Sequence, residues 1–417
     1  MSIIFRQYQN DIIEKGSNIL KNNNILYLAM EVRTGKTLVS LKIADLLNFK
    51  KVLFITKKKS IDTILSDYSK LKPNYEIVVI NNESVHTVLD NDFDILISDE
   101  HHRLSSFPKQ NKTFKIIQSR FGNLPMIFLS GTPATESASQ WYHSFAISKK
   151  NNIWSDYSNF YKWAKDYVNI KEKYFGKIKC NDYSDANFSK IMEKISPYVI
   201  FLTQKDAGFI SEIDENVIFY EHTEIQKNMI DKLRKTSILQ GKNDTIIADT
   251  GEKKMSKIHQ ISNGTIILDS GNSIIIDNSK AEFIKKRFEG KKIALFYYYK
   301  KELELLKSVF GDNLTTDLNE FNTTSKNIAL QQVSGSEGIS LKAAQYLIYY
   351  SFGYSGKNYI QGRDRMTTID RKENNVYFVF PKNSIDEKIY NVIKNKKTYT
   401  EKMFNHDFGI SNSKKSN

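Results

Sequence analysis

Cysteine is almost absent from this chain: Cys180 is the one cysteine among 417 residues. A single cysteine cannot form an internal disulfide or build a cysteine-based zinc site, and such usage is typical of a reducing compartment. No apolar run approaches the ~18 residues of a membrane span, and the opening MSIIFRQYQN lacks a signal peptide's basic-then-apolar order. We therefore expect a soluble, cytoplasmic protein without a membrane partner.

Acidic residues are fewer than basic ones. The 47 Asp and Glu against 61 Lys and Arg leave a formal charge of +14, which favours a polyanionic partner, nucleic acid more than membrane. A lysine-rich composition inherited from an AT-rich genome is an alternative source of part of this excess. Hydrophobic residues make up 40% of the chain, which excludes wholesale disorder.

The order of apolar segments predicts an α/β fold. From about residue 25, short β-branched runs alternate with helical periods, as in a parallel sheet with crossover helices. The length suits two domains of roughly 200 residues each. We predict two tandem lobes, each a mostly parallel sheet flanked by helices, over 1–205 and 206–403, with a disordered tail over 404–417.

Two segments interrupt the alternation. Residues 141–205 contain all three tryptophans and predict a helical insert packed on the first lobe. The second lobe is expected to start with a helical segment, followed by a hairpin that turns at 269–272 and ends by about residue 279.

The strongest local signal is AMEVRTGKT, residues 29–37, between a predicted strand and a predicted helix. In such a loop the backbone amides of Arg33, Thr34 and Gly35 and the helix N-terminus surround a phosphate. Lys36 supplies positive charge to the β- and γ-phosphate oxygens, and the Thr37 hydroxyl ligates magnesium. Methionine replaces the first glycine of the usual pattern, so TGKT and its strand-loop-helix context carry the prediction.

A pair of carboxylates, Asp99 and Glu100, ends a later apolar strand. Adjacent carboxylates repel each other unless a cation lies near them. We predict that Asp99 binds magnesium and that Glu100 orients and deprotonates the attacking water. A solvated turn is the alternative interpretation. His101 and His102 do not indicate zinc, because neighbouring side chains point apart and no further ligand is near in the sequence.

Together, the phosphate loop and the acidic pair resemble those of the superfamily 2 helicases and translocases, with Asp99-Glu100-His101-His102 as a DEAH-type box. The resemblance is closest to the Swi/Snf-like branch, in a form associated with phages and other mobile elements, which would place the protein in a host cytoplasm. Residues 5–9 resemble the family's adenine-recognition motif, which implies that Arg6 and Gln9 contact adenine.

Two more segments of the second lobe extend the resemblance. The segment from Ser334 resembles the GxxGLNL motif, and YIQGRDR resembles the arginine-bearing motif. The resemblance implies that both lobes are RecA-like and that the chain is an ATP hydrolase whose ATP site is divided between them, with Gln361 near the nucleotide. Arg363 or Arg365 would stabilise the transferring phosphoryl group when the lobes close, and the two arginines remain alternatives.

The resemblance also implies a nucleic-acid track on the side away from ATP, with mostly phosphate contacts. Ser130, Gly131 and Thr132 belong to an SGTP element that links the ATP site to this track. The remaining candidates are Thr56, Lys57, Ser334, Gly335 and Gly338. For the lysine, solvated surface charge is the alternative, and the aromatic residues of 141–175 could stack on bases or form core.

Three functions stay open. The leading expectation is a DNA helicase or double-stranded DNA translocase that uses ATP and Mg²⁺ and has little sequence specificity. An RNA helicase of the same fold is the second. The third is an ATP-gated DNA-binding subunit of a larger nuclease, defence or remodelling complex, against which the intact set of Lys36, Asp99 and Glu100 argues.

Overall fold

The computed structural model describes residues 3–89, 92–134, 137–175, 178–210, 212–240, 245–335, 339–368 and 371–394. The chain divides into two compact units, unit 1 from Met1 to Gly208 and unit 2 from Phe209 to Asn417. Each unit contains its own six-stranded sheet.

The described residues of unit 1 form eight strands, of which six build its main sheet in the order β3-β2-β4-β5-β1-β8, all parallel. Every residue of β1 and β4 is buried, because helices cover both faces of a parallel sheet. The strands are β1 (Ile25–Met30), β2 (Lys51–Thr56), β3 (Glu76–Asn81), β4 (Ile95–Ser98), β5 (Met126–Leu129), β6 (Lys171–Phe175), β7 (Ile178–Asp182) and β8 (Val199–Leu202).

The helices of unit 1 begin at polar capping residues or directly after the loops that follow strands. Asn111, for example, accepts a hydrogen bond from the Phe114 backbone N–H and so starts α4. The helices are α1 (Gln7–Asn23), α2 (Lys36–Leu46), α3 (Ile61–Leu71), α4 (Lys112–Phe121), α5 (Gln140–Ala146), α6 (Phe160–Tyr167) and α7 (Phe188–Ile195), with 3₁₀ turns at Lys58–Ser60, Asn82–Thr87, His101–Leu104 and Ser196–Tyr198.

The aromatic segment of unit 1 is core. Trp141, Trp154 and Trp163 are 1%, 0% and 0% exposed. Trp141 lies with its ring centroid 4.9 Å from that of Tyr27 on β1, so the segment packs on the sheet. The idea that these tryptophans stack on nucleic-acid bases is wrong, because no face of their rings is open.

The sequence predicted that this segment is helical, but the structure also contains strands there. Strands β6 and β7 form an antiparallel hairpin, and β8 is an edge strand of the main sheet. Cross-strand ion pairs such as Lys173–Asp182 (2.7 Å) and Lys179–Glu172 (2.6 Å) join the charged strands of the hairpin. An apolar period does not reveal such a hairpin, because charge pairs replace apolar contacts.

The part of unit 2 that the structure describes contains ten strands. Six form a parallel sheet in the order β15-β16-β14-β17-β18-β9. The strands are β9 (Glu212–Tyr220), β10 (Ile238–Gln240), β11 (Thr245–Ile247), β12 (Thr265–Ile267), β13 (Ser273–Ile275), β14 (Ile293–Tyr297), β15 (Leu314–Thr315), β16 (Asn327–Gln331), β17 (Tyr346–Tyr349) and β18 (Glu373–Pro381).

The helices of unit 2 flank this sheet and build the segment before β14. They are α8 (Glu224–Thr236), α9 (Gly251–Ser262), α10 (Ser279–Arg287), α11 (Lys300–Phe310), α12 (Leu318–Thr323), α13 (Gln332–Gly335) and α14 (Gly356–Arg363), with 3₁₀ turns at Gly311–Asn313 and Asp364–Met366. Residues 385–394 are also helical.

The segment before β14 has a small core of its own, in which Leu233, Ile261 and Ile266 are fully buried. The predicted hairpin is confirmed as β12–β13, with the Gly271 N–H bonded to the Leu268 carbonyl in the turn. The prediction that the second lobe starts with a helical segment is wrong at its start, because strand β9 comes first and pairs with β18.

Two parallel, helix-flanked sheets in tandem confirm the predicted fold class: the chain consists of two RecA-like lobes. Among the described residues, no helix combines the length and the apolar composition needed to cross a membrane.

Candidate functional site

The loop between β1 and α2 folds back on its own backbone. Lys36 Nζ and the Thr34 hydroxyl both donate to the Glu31 carbonyl oxygen, at 3.1 and 2.7 Å. Arg33 and Gly35 have left-handed backbone, with φ of 66° and 89°. Consecutive residues of opposite hand turn successive N–H groups toward one side, where the N-terminus of α2 adds its own free amides. The loop is therefore built to hold an anion.

Helix α1 closes one flank of this loop. Gln9 accepts from the Arg6 backbone N–H at 3.0 Å and donates to the Thr34 carbonyl at 3.2 Å. A Cβ at Gly35 would lie 2.2 Å from Gln9 Nε2, so a side chain here would displace the Gln9 amide from the loop in addition to straining the backbone at positive φ. The Gln9 amide, predicted to contact adenine, is engaged with the loop itself, while the Arg6 side chain is exposed.

Strand β8 closes the other flank through a residue that the sequence analysis did not single out. The backbone N–H of Gln204 donates to Glu31 Oε2 at 2.6 Å, and its side chain donates to the Val32 carbonyl at 3.0 Å. Gln204 follows an apolar run directly, as the phosphate loop does. That shared position at the carboxyl edge of a parallel sheet was the available signal.

The acidic pair lies at the same edge, directly after β4. Asp99 Oδ2 accepts from the Thr56 hydroxyl at 2.8 Å. Burial, and then the charge of Glu100, raise the pKa of Asp99 to about 6, against the lowering effects of the Thr56 hydrogen bond and of the Lys36 and Lys57 charges. Because Lys36 acts on Asp99, the phosphate loop and the acidic pair form one electrostatic site.

The chemistry of the available donors suits magnesium. Thr37 is the second residue of α2 and partly exposed, and Asp99 is partly exposed at the end of β4. A hydroxyl and a carboxylate are the hard oxygen ligands that Mg²⁺ takes together with phosphate oxygens and water. These residues fit the ion that the sequence predicted.

Glu100 contacts a cation and a histidine. Its Oε1 lies 3.4 Å from Lys57 Nζ, and its Oε2 lies 3.3 Å from His102 Nδ1. The same nitrogen lies 3.0 Å from Ser130 Oγ, which accepts from the Thr132 N–H at 3.1 Å. The SGTP element is thus connected to the acidic pair through His102.

Several predicted nucleic-acid contacts lie inside unit 1. Thr56 is 0% exposed and Lys57 8% exposed, and their side chains face Asp99 and Glu100 rather than an open surface. Ser130 is fully buried as well. The structure therefore places these side chains beside the acidic pair, and their contact with nucleic acid stays a prediction.

His101 is a core residue. Its ring stacks on Phe128 with centroids 3.8 Å apart, and Nε2 lies 3.0 Å from the Ser144 carbonyl oxygen. Burial lowers the pKa of His101 to about 3, so the ring is neutral. Its role is to fix the turn that carries Glu100.

In unit 2, the arginine-bearing motif is anchored to the sheet. Arg363 Nη1 lies 3.0 Å from Glu215 Oε1 on β9, and the Tyr359 hydroxyl donates to the other oxygen of Glu215. The side chains of the pair are 10% and 8% exposed. Gln361 is also buried, at 1% exposure. No local pattern identifies Glu215, because it is far from Arg363 in the sequence.

Unit 2 also contains Arg365 and the segment from Ser334. Arg365 Nη1 donates to the Ile339 carbonyl at 3.3 Å, and the Arg365 carbonyl accepts from the Leu341 N–H at 2.8 Å. A Cβ at Gly335 would lie 2.7 Å from Leu330 Cβ, so this glycine is required by packing. Gly338 and the side chain of Ser334 lie outside the described residues.

Comparison with known proteins adds a local family match and two related folds. Residues 2–84, which contain the phosphate loop, match the family model described as type III restriction enzyme, res subunit. No curated protein matches the chain.

Among solved structures, the chain is similar to the SWI2/SNF2 ATPase core of Sulfolobus solfataricus. The complex of that core with double-stranded DNA is 16% identical, with a TM-score of 0.42, over 98% of this chain and 94% of that one. A structure of the core domain gives 16% and 0.42 over 97% and 91%.

Proposed function

We propose that the protein is a nucleic-acid-dependent ATPase that acts as a DNA helicase or a double-stranded DNA translocase. One observation carries this proposal: the loop built to hold an anion follows β1 and the acidic pair follows β4, at the same edge of one parallel sheet. A phosphate-binding lysine beside two carboxylates is the arrangement that phosphoryl transfer with magnesium requires.

Each site residue of unit 1 has a separate role in the proposed reaction. Lys36 neutralises charge on the β- and γ-phosphate oxygens, while Thr37 and Asp99 hold the magnesium ion. Glu100 orients the attacking water and accepts its proton. The loop amides of Arg33 to Gly35 bind the phosphate chain, and Gln9 keeps the loop in its shape.

One arginine of unit 2 supplies positive charge to the transferring phosphoryl group in this proposal. Arg363 holds Glu215 in a buried ion pair, and removing a charge from such a pair is costly. Arg365 donates to a neutral carbonyl oxygen, a contact that is replaced at lower cost. We therefore favour Arg365 for the phosphoryl contact and assign Arg363 to anchoring α14 on β9.

DNA is the proposed polymer, bound with little sequence specificity through its phosphates. The formal charge of +14 supports a polyanion. The match of residues 2–84 to a restriction-enzyme family favours DNA over RNA.

Steady-state ATP hydrolysis without polymer, with single-stranded DNA, with duplex DNA and with RNA tests the proposal. We expect stimulation by DNA, and a Glu100→Gln variant should retain ATP binding but lose at least about 100-fold in turnover. Duplex stimulation without strand separation would select the translocase. Stimulation by RNA alone would identify RNA, and not DNA, as the polymer on which the protein acts. ATP-dependent DNA binding without turnover would indicate a binding subunit of a larger complex.

A further inference from the structure

Lys57 occupies an unusual place for a residue at the start of a lysine run. It follows β2 directly, and Lys58 and Lys59 after it are exposed. Its own side chain is 10% exposed and turns inward, with Nζ 3.4 Å from Glu100 Oε1. The lysine thus contacts the carboxylate that the proposed function assigns to the attacking water.

Glu100 is held in a conformation that its own backbone does not favour. Its φ of 49° and ψ of 41° are left-handed, which for a residue with a side chain is sustained by the surrounding contacts. Those contacts include Lys57 on one oxygen and His102 on the other. Of these two contacts, the one with Lys57 is an ion pair with a permanent cation, and it draws the carboxylate toward the protein.

We propose that Lys57 is a positioning residue that restrains Glu100 until a nucleic-acid phosphate replaces the carboxylate as its partner. This inference rests on the proposed function and adds the device that makes hydrolysis depend on the polymer. A phosphate offers an ammonium the same kind of charge-assisted contact as a carboxylate does. When Lys57 turns to the phosphate, Glu100 is free to orient the water.

Hydrogen bonds fix the backbone on either side of Lys57. The end of β2 is fixed, because Asn82 Nδ2 donates to the Thr56 carbonyl at 3.1 Å and the Ser60 N–H donates to the Lys57 carbonyl at 2.9 Å. The backbone therefore stays in place while the flexible lysine side chain exchanges partners. The exchange needs only rotations of that side chain.

The test compares ATP turnover of the full chain with and without duplex DNA for wild type, Lys57→Met, Lys57→Arg and Lys70→Met. We expect Lys57→Met to raise turnover without DNA several-fold and to bring the stimulation by DNA close to one, with little change in the KM for ATP. Lys57→Arg should keep most of the wild-type stimulation, because it retains the charge. Lys70 is an exposed lysine of α3, so Lys70→Met removes the same charge and should behave as wild type.

The outcomes separate the two levels of the proposal. A Lys57→Met variant whose turnover without DNA is unchanged would refute the restraint of Glu100, while the proposed function would stand if the wild type is stimulated by DNA. A parallel fall in turnover with and without DNA would also refute it, since a structural role does not activate the enzyme. A wild type that hydrolyses no ATP with any polymer would overturn both.

Discussion

The ion pair between Arg363 and Glu215 predicts a large and specific loss of stability in unit 2. Both side chains are about nine-tenths buried, and the two atoms lie 3.0 Å apart. Removing one member of a buried pair costs about 3–5 kcal/mol, because the other charge stays buried without it. After Arg363→Met, Glu215 keeps the Tyr359 hydroxyl as a donor. We therefore expect the lower end, about 3 kcal/mol.

The position of the tryptophans makes this loss measurable in the full chain. All three tryptophans belong to unit 1, so tryptophan fluorescence reports on unit 1 while far-ultraviolet circular dichroism reports on both units. In urea, Arg363→Met should shift part of the dichroism transition to lower concentration and leave the fluorescence transition in place. Lys382→Met, which removes an exposed charge of the same unit, should change stability by less than about 0.5 kcal/mol.

A double-mutant cycle gives the decisive number. Arg363→Met combined with Glu215→Gln should be less destabilising than the sum of the single changes by about 2 kcal/mol, because the double variant does not leave the Glu215 charge buried without Arg363. The 3.6 Å contact between Arg363 and Asp364 is lost equally in Arg363→Met and in the double variant, so it cancels in the cycle. Additivity within about 0.5 kcal/mol would refute the view that the two side chains stabilise each other.

Three further outcomes follow from other parts of the structure. Gly35→Ala should weaken ATP binding, because a side chain strains the backbone at φ of 89° and displaces the Gln9 amide from the loop, whereas Gly271→Ala, with φ of 87° and no neighbour within 4 Å, should leave nucleotide binding intact in a titration with fluorescent ATP. Trp163→Ala should destabilise unit 1 by about 3–5 kcal/mol, measured by the fluorescence of the remaining tryptophans in urea, and Tyr161→Ala, at an exposed ring, by far less. Burial raises the pKa of Glu302 from 4.5 to about 7, so the folded state keeps a proton that the unfolded state releases, and the stability of unit 2 should fall as pH rises from about 4.5 to 7. Glu302→Gln should remove this fall, so that its free energy of unfolding rises relative to that of wild type by on the order of 2 kcal/mol between pH 5 and pH 8. A variant whose stability falls with pH as steeply as that of wild type would contradict the assignment of this fall to Glu302.

The parts of the fold predicted from sequence are those with continuous apolar runs. Strands such as β1 and β4 are buried on both faces, so their sequences are apolar throughout and easy to recognise. The TGKT loop was found because glycine and the following helix are required at fixed positions. The outer strand β9, with the sequence EIDENVIFY, lies at a sheet edge and has polar residues over its first half, so its pattern did not indicate a strand.

The contacts within the candidate site were less predictable than its residues. The sequence identified Lys36, Asp99 and Glu100, but not that Lys57 turns inward to Glu100. A run of lysines is usually solvated, and nothing in the run distinguishes its first member. Gln204 and Glu215 come from strands distant in sequence, so only the assembled sheets bring them to the loop and to Arg363.

The pairing of β9 with β18 has a consequence for synthesis of the chain. The strand that begins unit 2 pairs along its whole length with a strand that starts roughly 150 residues later. At a ribosomal rate of about 5–20 residues per second, β9 waits on the order of 10–30 s for its partner. During that interval its hydrogen-bonding edge is open, and charged residues such as Asp214 disfavour its pairing with another nascent chain.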